Sequence, residues 1–407
     1  MKHVVLVAPY FGPTMRTCLN AFVNLKDIKL GLISNQPQDA VPASLAKGIH
    51  GHYQVGNALN PDDLERACKA FQAEWGQVDR LIGYLEHLQG PMAEVRSRLD
   101  IPGMKRDVAM NFRDKNTMKA TLREAGLPVA KQKRISNAED VRLFAEGVGY
   151  PIVLKPLAGV GSKNTMRVSN EDDLLGALNL LLPSEESPVQ AEQFVQGEEH
   201  TLESVTIHGE TVWQSSTYYL PGPLKVIENP WMQYCVLLPR EQAPAHVSAF
   251  SSLNSRALNA LGMETGLSHM EWFSTAQNGP VISEVGARPP GVNIMPMMGH
   301  AHGVDMWQQW AQLLVHETWD MPERQAAVGC AFLRAQGGGQ TVTAVHGLNE
   351  AQAGVEGMVI QARLPHVGQP RSSHYEGEGF IMISAPDTDR VVQGLRHIIS
   401  NVRVIAG

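Results

Sequence analysis

The sequence predicts a mixed architecture: a parallel α/β unit at the N-terminal end, an α+β region behind it, and a β-rich tail. Three observations carry this. Short β-rich runs alternate with amphipathic stretches over roughly residues 1–105. Between 135 and 205 the order becomes helix, strand, glycine loop, strand, helix, strand. Further on, Asn278-Gly279 separates two long β-rich runs. Alternating strands and helices build parallel sheets, whereas Asn-Gly between β-rich runs marks a hairpin.

Taken in order, "HVVLVAP" and "IKLGLISN" read as strands separated by a helix around "MRTCLNAFVNL". "DDLERACKAFQAEW" is an amphipathic helix, and "VDRLIGYLE" a buried strand that ends in polar residues. "KNTMKATLREAGLPVAK" is a helix stopped by Gly126 and Pro128, followed by a strand. Then come the helix "NAEDVRLFAEGV", the strand "YPIVLKP" with its glycine loop, and the strand "VQAEQFV". From 203 to 328 longer strands and two helices are expected, with "MPERQAAVGC" as a junction. Short strands, Gly-rich turns and the helix "DTDRVVQGLRHIIS" complete the chain. The expected units are 1–105, a middle unit over 106–328 with lobes at about 130–202 and 203–328, and a tail at 329–407.

Composition narrows the function. The 407 residues are 43% hydrophobic and 18% charged, which at about 150 residues per domain is enough for two or three real cores. A net charge of −7 leaves no basic footprint for nucleic acid or an acidic membrane surface. Cys18, Cys68, Cys235 and Cys330 form no C-x-x-C pair, so neither a zinc site nor a disulfide framework is expected, and a reducing cytoplasm suits them. "MKHVVLVAPYFGP" reads as a first strand rather than a signal peptide, and no apolar run approaches the ~20 residues of a membrane span.

The chemistry concentrates in two places. In "LSHMEWFSTAQNGPVISEVGAR" a hairpin closed by a two- or four-residue loop pairs Gln277 with Pro280 and sets Glu271 opposite Gly286. Ile282, Glu284, Gly286 and Arg288 would then share one face, with Glu271 diagonal to Glu284. A three-residue loop would break this register. Two carboxylates beside a glycine can hold a hard divalent cation through oxygen, and Arg288 suits an anion bridging it. The plainer alternative is an exposed Glu284–Arg288 ion pair. In "YPIVLKPLAGVGSKNTMRV" a strand delivers Lys155 ahead of Gly159, Gly161 and Ser162, whose backbone can approach phosphate. The lysine precedes the glycines, so this is not a Walker loop. Lys115 opens a helix, where anions are favoured, and Asp114 is either its N-cap or a functional group. Glu192 ends a strand, with Glu199 beyond a glycine. That segment can offer its backbone to adenine and a carboxylate to ribose.

The order of these motifs is more specific than any one of them: Asp114-Lys115-helix-Gly-x-Pro, strand-Lys155-Pro156-glycine loop, Glu192-x-x-x-x-Gly197-x-Glu199, then Glu271 and Glu284-x-x-x-Arg288-x-x-Gly291. It resembles the ATP-grasp superfamily, and within it the carboxylate–amine ligase branch that includes bacterial L-amino-acid (dipeptide) ligases. The resemblance covers nearly the whole chain. It implies an ATP-grasp fold with an N-terminal parallel α/β domain, a two-lobed ATP-binding core and a C-terminal β-rich domain like that of biotin carboxylases. It implies ATP and magnesium as cofactors, with manganese as a substitute. Lys115, Lys155, Gly159, Gly161 and Ser162 would meet the phosphates, and Glu192, Gln193, Val195 and Glu199 would border adenine and ribose. Glu271 and Glu284 would bind metal, and Arg288 would be catalytic, holding the transferred phosphoryl group and the substrate carboxylate. Many members carry Asn where this chain has Gly286; the dipeptide-ligase branch shares that change, and Asn293 or water is left to complete a second metal's shell.

The implied reaction is ATP-dependent amide formation through an acyl phosphate, with small carboxylate and amine substrates, an amino acid among them, and a homodimer left open. Two other readings stand beside it: another ATP-grasp ligase using bicarbonate or a nucleotide-pathway carboxylate, or a non-enzymatic ATP-binding module. Tyr84, Glu86, His269, His302 and Trp231 are candidates for the substrate pocket, each equally readable as structural. Residues 217–235 are either a lid or an ordered connection.

Overall fold

The computed structural model describes residues 1–156, 165–241, 245–276 and 279–407. The expected glycine loop with Gly159, Gly161 and Ser162, and the hairpin tip at Gln277 and Asn278, lie outside the described residues.

The N-terminal unit is a four-stranded parallel sheet in the order Gly51–Gln54, Ile28–Ser34, Lys2–Val7, Arg80–Ile82. Alternation along Lys2–Val7 sends Val5 and Val7 to one core with Phe71 and Trp75, and Val4 and Leu6 to another with Phe22. This second core is shared with the middle of the chain, where Phe22 meets Trp310 edge-on at 5.8 Å. The strand at Arg80–Ile82 is shorter than its apolar run suggests. It gives way to a 3₁₀ turn at Glu86–Leu88 that aims Glu86 out of the sheet. The helix Arg106–Arg113, unmarked by any strong stop signal, carries Arg113 to the same region.

The first lobe is a four-stranded antiparallel sheet, Gln132–Ile135, Val189–Gln193, Ile152–Pro156, Met166–Val168, covered by the helices Ala138–Val148 and Glu171–Leu181. Asn137 and Asn170 cap those helices, their side chains accepting from the backbone N–H of Asp140 and Asp173.

The second lobe and the tail share one eight-stranded sheet. Its order is Gly279–Gly286, Gly266–Thr275, Glu198–Ile207, Glu210–Leu220, Tyr234–Leu238, Ala327–Leu333, Gly379–Ala385, Val359–Arg363. The expected boundary at 328 therefore falls inside a strand, and only the small sheet of Ala335–Gln336, Arg403–Ala406 and Val342–His346 belongs to the tail alone. Between 203 and 328 four helices are described rather than two: Pro223–Glu228, Ala245–Leu261, Ile294–His302 and Met306–His316. Ile294–His302 is buried almost all round, so it has no polar face and shows no helical period in the sequence. Residues 217–235 are largely regular: a strand end, the helix Pro223–Glu228, and the start of another strand. The helix is tied on two sides, by Arg167–Glu228 at 3.0 Å and by Arg334 donating to the carbonyl of Val226 at 2.7 Å.

Under the hairpin, Trp272 is fully buried and stacks on Phe250, ring centroids 4.0 Å apart and 11° from parallel. Trp272→Ala opens a cavity there and should cost about 3–5 kcal/mol. We expect a matching drop in the urea midpoint; a shift no larger than that of an exposed substitution would refute this packing.

Candidate active site

The floor of the site is the face that three neighbouring strands turn toward the first lobe. His269, Glu271 and Phe273 pair with Glu203, Thr201 and Glu199, so all six side chains share one face, while Leu202, Met270 and Trp272 take the opposite, apolar one. The third strand needs a correction. Thr275 pairs with Gly279, the register of a three-residue loop, and it would turn Glu284 into the core. A β-bulge rescues it: Trp272 pairs with Ile282 and Glu271 with Glu284, which leaves Ser283 as the extra residue. Glu271 and Glu284 are thus directly opposed rather than diagonal, His269 rather than Glu271 faces Gly286, and Ile282 lies in the core instead of on the carboxylate face.

Cations converge on this floor from other elements. The helix Lys115–Glu124 begins with Asp114 as its N-cap, whose side chain accepts from Thr117 N–H at 2.7 Å. Lys115 Nζ then donates to Glu284 Oε1 at 2.8 Å. One turn on, the fully buried Lys119 reaches Glu192 Oε1 at 2.6 Å, and Lys155 reaches the same oxygen at 2.8 Å. Burial works to raise the Glu192 and Glu284 carboxyls, but the lysines outweigh it and hold both well below the ordinary range. Burial pushes Lys119 down to about 8 despite its partner. Arg288 does not pair with Glu284; its Nε donates to Glu86, which also accepts from Arg113. Glu86 is thereby bound to two guanidiniums, a role the sequence did not announce.

His269 is set by a buried carboxylate. Glu203, fully buried, takes His269 Nδ1 at 2.8 Å on one oxygen and the Thr217 hydroxyl at 3.1 Å on the other. His269 Nε2 lies 3.6 Å from Glu271 Oε1. Burial would lower the imidazole, but its bonds to Glu203 and Glu271 win and raise it to about 9. Among the described residues no cation is in contact with Glu199. Burial and the neighbouring Glu271 raise it to about 8, against Lys155.

Most of these groups line a single cleft of about 2710 Å³ between the two lobes and the N-terminal and tail segments; Arg113, Glu203 and, through Glu203, Thr217 stand behind its wall and hold lining residues. Of the sequence candidates, Lys115, Lys155, Glu192, Gln193, Val195, Glu199, Glu271, Glu284 and Arg288 line it, as do Tyr84, Glu86, His269 and Asn293. His302 does not: it is buried behind the site, Nδ1 2.6 Å from the Pro322 carbonyl. Trp231 is about half exposed and lines a separate shallow hollow. Lys119, Arg113 and Glu203 were missed, although Lys119 could have been found four residues after Lys115 on the same helix face. Among the described residues no group of three or more His, Cys, Asp or Glu side chains forms a metal centre by itself. The opposed Glu271 and Glu284 nonetheless fit a divalent cation whose other ligands are phosphate oxygens, and the Lys115 ammonium already stands in for a cation on Glu284.

Known proteins point the same way. Residues 114–200 match the family model of the carbamoyl-phosphate synthase L chain, ATP binding domain. The chain is 26% identical over 246 residues to an L-arginine-specific L-amino acid ligase of Bacillus subtilis, covering 59% of each chain. It is 27% identical over 293 residues to an alanine–anticapsin ligase of B. subtilis strain 168, covering 66% of this chain and 59% of that one. The chain thus spans about three-fifths of the length of these two relatives. Among solved structures, an L-amino acid ligase from Bacillus licheniformis superposes with a TM-score of 0.77 at 19% identity, over 100% of this chain and 99% of that one. A carboxyaminoimidazole ribonucleotide synthase from Aspergillus clavatus, complexed with ATP, gives 0.71 at 16% identity, over 99% of each. The chain thus has the ATP-grasp fold, and its sequence is similar to those of the two carboxylate–amine ligases compared.

Proposed function

We propose that the protein is an ATP-dependent carboxylate–amine ligase that joins an amino acid or similar small carboxylate to an amine through an acyl phosphate. One observation carries this: Lys115, Lys155 and Arg288 meet the opposed carboxylates Glu271 and Glu284 in one cleft between two lobes. That is the charge pattern a metal-bound triphosphate and a substrate carboxylate require. The two relatives compared in sequence are named as an L-amino acid ligase and an alanine–anticapsin ligase, which supports the same reading.

In this reading Lys115 and Lys155 neutralise phosphate oxygens, and the strand end with Glu192, Gln193 and Val195 borders adenine. Glu199 accepts from ribose hydroxyls. Glu271 and Glu284 would hold magnesium, which would supply charge neutralisation at the phosphates. Arg288 keeps the substrate carboxylate in line with the γ-phosphorus; the carboxylate oxygen bonds to phosphorus as the bond to ADP breaks. Arg288 then faces the oxygen that gains charge when the amine attacks the acyl carbon, phosphate leaves and the amine loses its proton. The charges are gathered in one cleft before substrate arrives, so the chain's own groups need only exchange partners as it binds.

Glu284→Gln keeps shape and removes one charge. It should leave the melting temperature of the nucleotide-free protein within a few degrees of wild type and abolish most of the stabilisation by Mg-ATP. Equal stabilisation of the two proteins in a melting assay would rule out the metal role.

Arg288→Ala should lower turnover by about a hundredfold or more, as the loss of such a donor costs about 3 kcal/mol of barrier. With a carboxylate, ATP and hydroxylamine, the wild type should form an acyl hydroxamate. No hydroxamate and no ADP from any of the twenty amino acids or common small acids, while Mg-ATP still binds, would defeat the ligase reading. ADP formed with bicarbonate alone would turn it into a carboxylase-type one.

Stability should depend on pH through Glu199 and His269. Both are raised in the folded protein, so the stability they contribute is full at low pH, below about 4.5 for Glu199 and 6.5 for His269. It is lost as pH rises through about 8 and about 9 respectively. Melting temperature without nucleotide should therefore fall between pH 7 and 9, and Glu199→Gln should flatten that fall while weakening ATP binding. An unchanged slope in the variant would refute the assignment.

A further inference from the structure

Three cations of the cleft are already paired. Lys155 lies on Glu192, Arg288 on Glu86, and Lys115 on Glu284. The last pair differs from the other two, because Glu284 is also one of the two opposed metal carboxylates. Lys115 Nζ sits 2.8 Å from its Oε1, with only 10% of the lysine side chain exposed. Among the described residues, Glu271, across the bulge, has no lysine or arginine within ion-pair distance; His269 Nε2 lies 3.6 Å from it.

We propose that Lys115 is an internal competitor for the metal carboxylate Glu284, so that the site takes up a divalent cation only by exchange: the nucleotide's phosphates draw the ammonium away as the metal replaces it. The inference rests on the ligase reading above for the identity of the metal site.

Three observations support exchange over simple filling. A divalent cation arriving alone would meet a fixed positive charge in contact with its own ligand. Displacing the lysine would strand a buried ammonium, because Glu192, the neighbouring carboxylate, already carries Lys119 and Lys155 on one oxygen. A polyphosphate arriving with the metal removes both obstacles at once, since it supplies Lys115 with new anionic partners. Coupling of this kind is reciprocal: whatever nucleotide does for metal affinity, metal does for nucleotide affinity.

The test is binding of Mn²⁺ alone, followed by the loss of the free-ion paramagnetic resonance signal, with no nucleotide present. Wild type should bind weakly. Lys115→Met should bind at least about tenfold more tightly. Lys155→Met removes the same charge from the same cleft, but its ammonium sits on Glu192, so it should gain much less. Lys115→Gln serves as a second variant, with circular dichroism confirming the fold of each. Wild type binding Mn²⁺ as tightly as Lys115→Met would overturn the proposal, as would an equal gain in Lys155→Met, which would indicate a general field rather than a contact. If Mn²⁺ fails to bind any of these proteins even with ATP added, the metal-site reading itself fails. If it binds wild type with ATP while Lys115→Met shows no gain without it, only the exchange fails.

Discussion

Everything in the cleft depends on one extra residue in a strand. Pairing from Thr275 and Gly279 inward would place Glu284 among Met118, Leu122 and Trp272, where an ionised carboxylate has no partner. The bulge at Ser283 turns the strand by one position, so Ile282 and Val285 both stay in the apolar core while Glu284 faces Glu271. The sheet thus keeps one face of hydrocarbon and one of carboxylate. Bulges tend to occur where a side chain must be re-aimed near a functional site, and this one aims Glu284 at Glu271.

Charge then joins elements that are distant in sequence. Glu86 comes from the N-terminal unit, Arg113 and Lys115 from two successive helices, Lys155 and Glu192 from the first lobe, and Arg288 from beyond the hairpin. Apart from Lys155–Glu192, which lies within the first lobe, each of these close pairs links two pieces, so the ion pairs set their spacing as well as their charge. Buried pairs of this sort add little net stability, since desolvation consumes most of the attraction. What they supply is position: removing one partner leaves the other charged and buried.

How much of this was legible depended on whether the signal was local. Period-two and period-3.6 patterns marked the parallel N-terminal sheet, the first-lobe strand carrying Lys155, and the capped helix at Lys115, because neighbours a few residues apart decide them. Charged residues on otherwise apolar strands drew attention to Glu271, Glu284 and Arg288 for the same reason. The bulge was not legible, since it is set by which side chains find room in the core rather than by the turn. Arg288 and Glu86, 202 positions apart, could not be paired from sequence, nor could Glu203 and His269. The helix at Ile294–His302 was hidden by its own burial: methionines on every side erase the polar face that would have revealed its period.

The shared eight-stranded sheet has a further consequence for the chain as a piece of architecture. Ala327–Leu333 lies between Tyr234–Leu238 and Gly379–Ala385, hydrogen-bonded along its length to both. The tail is therefore not a cap resting on a finished fold. A chain cut near residue 328 would bare the backbone of Tyr234–Leu238 as a long, buried-type, uncharged edge, the kind that recruits stray strands. Modularity ends at that strand: this tail can be exchanged for another only together with the sheet on which the carboxylates stand.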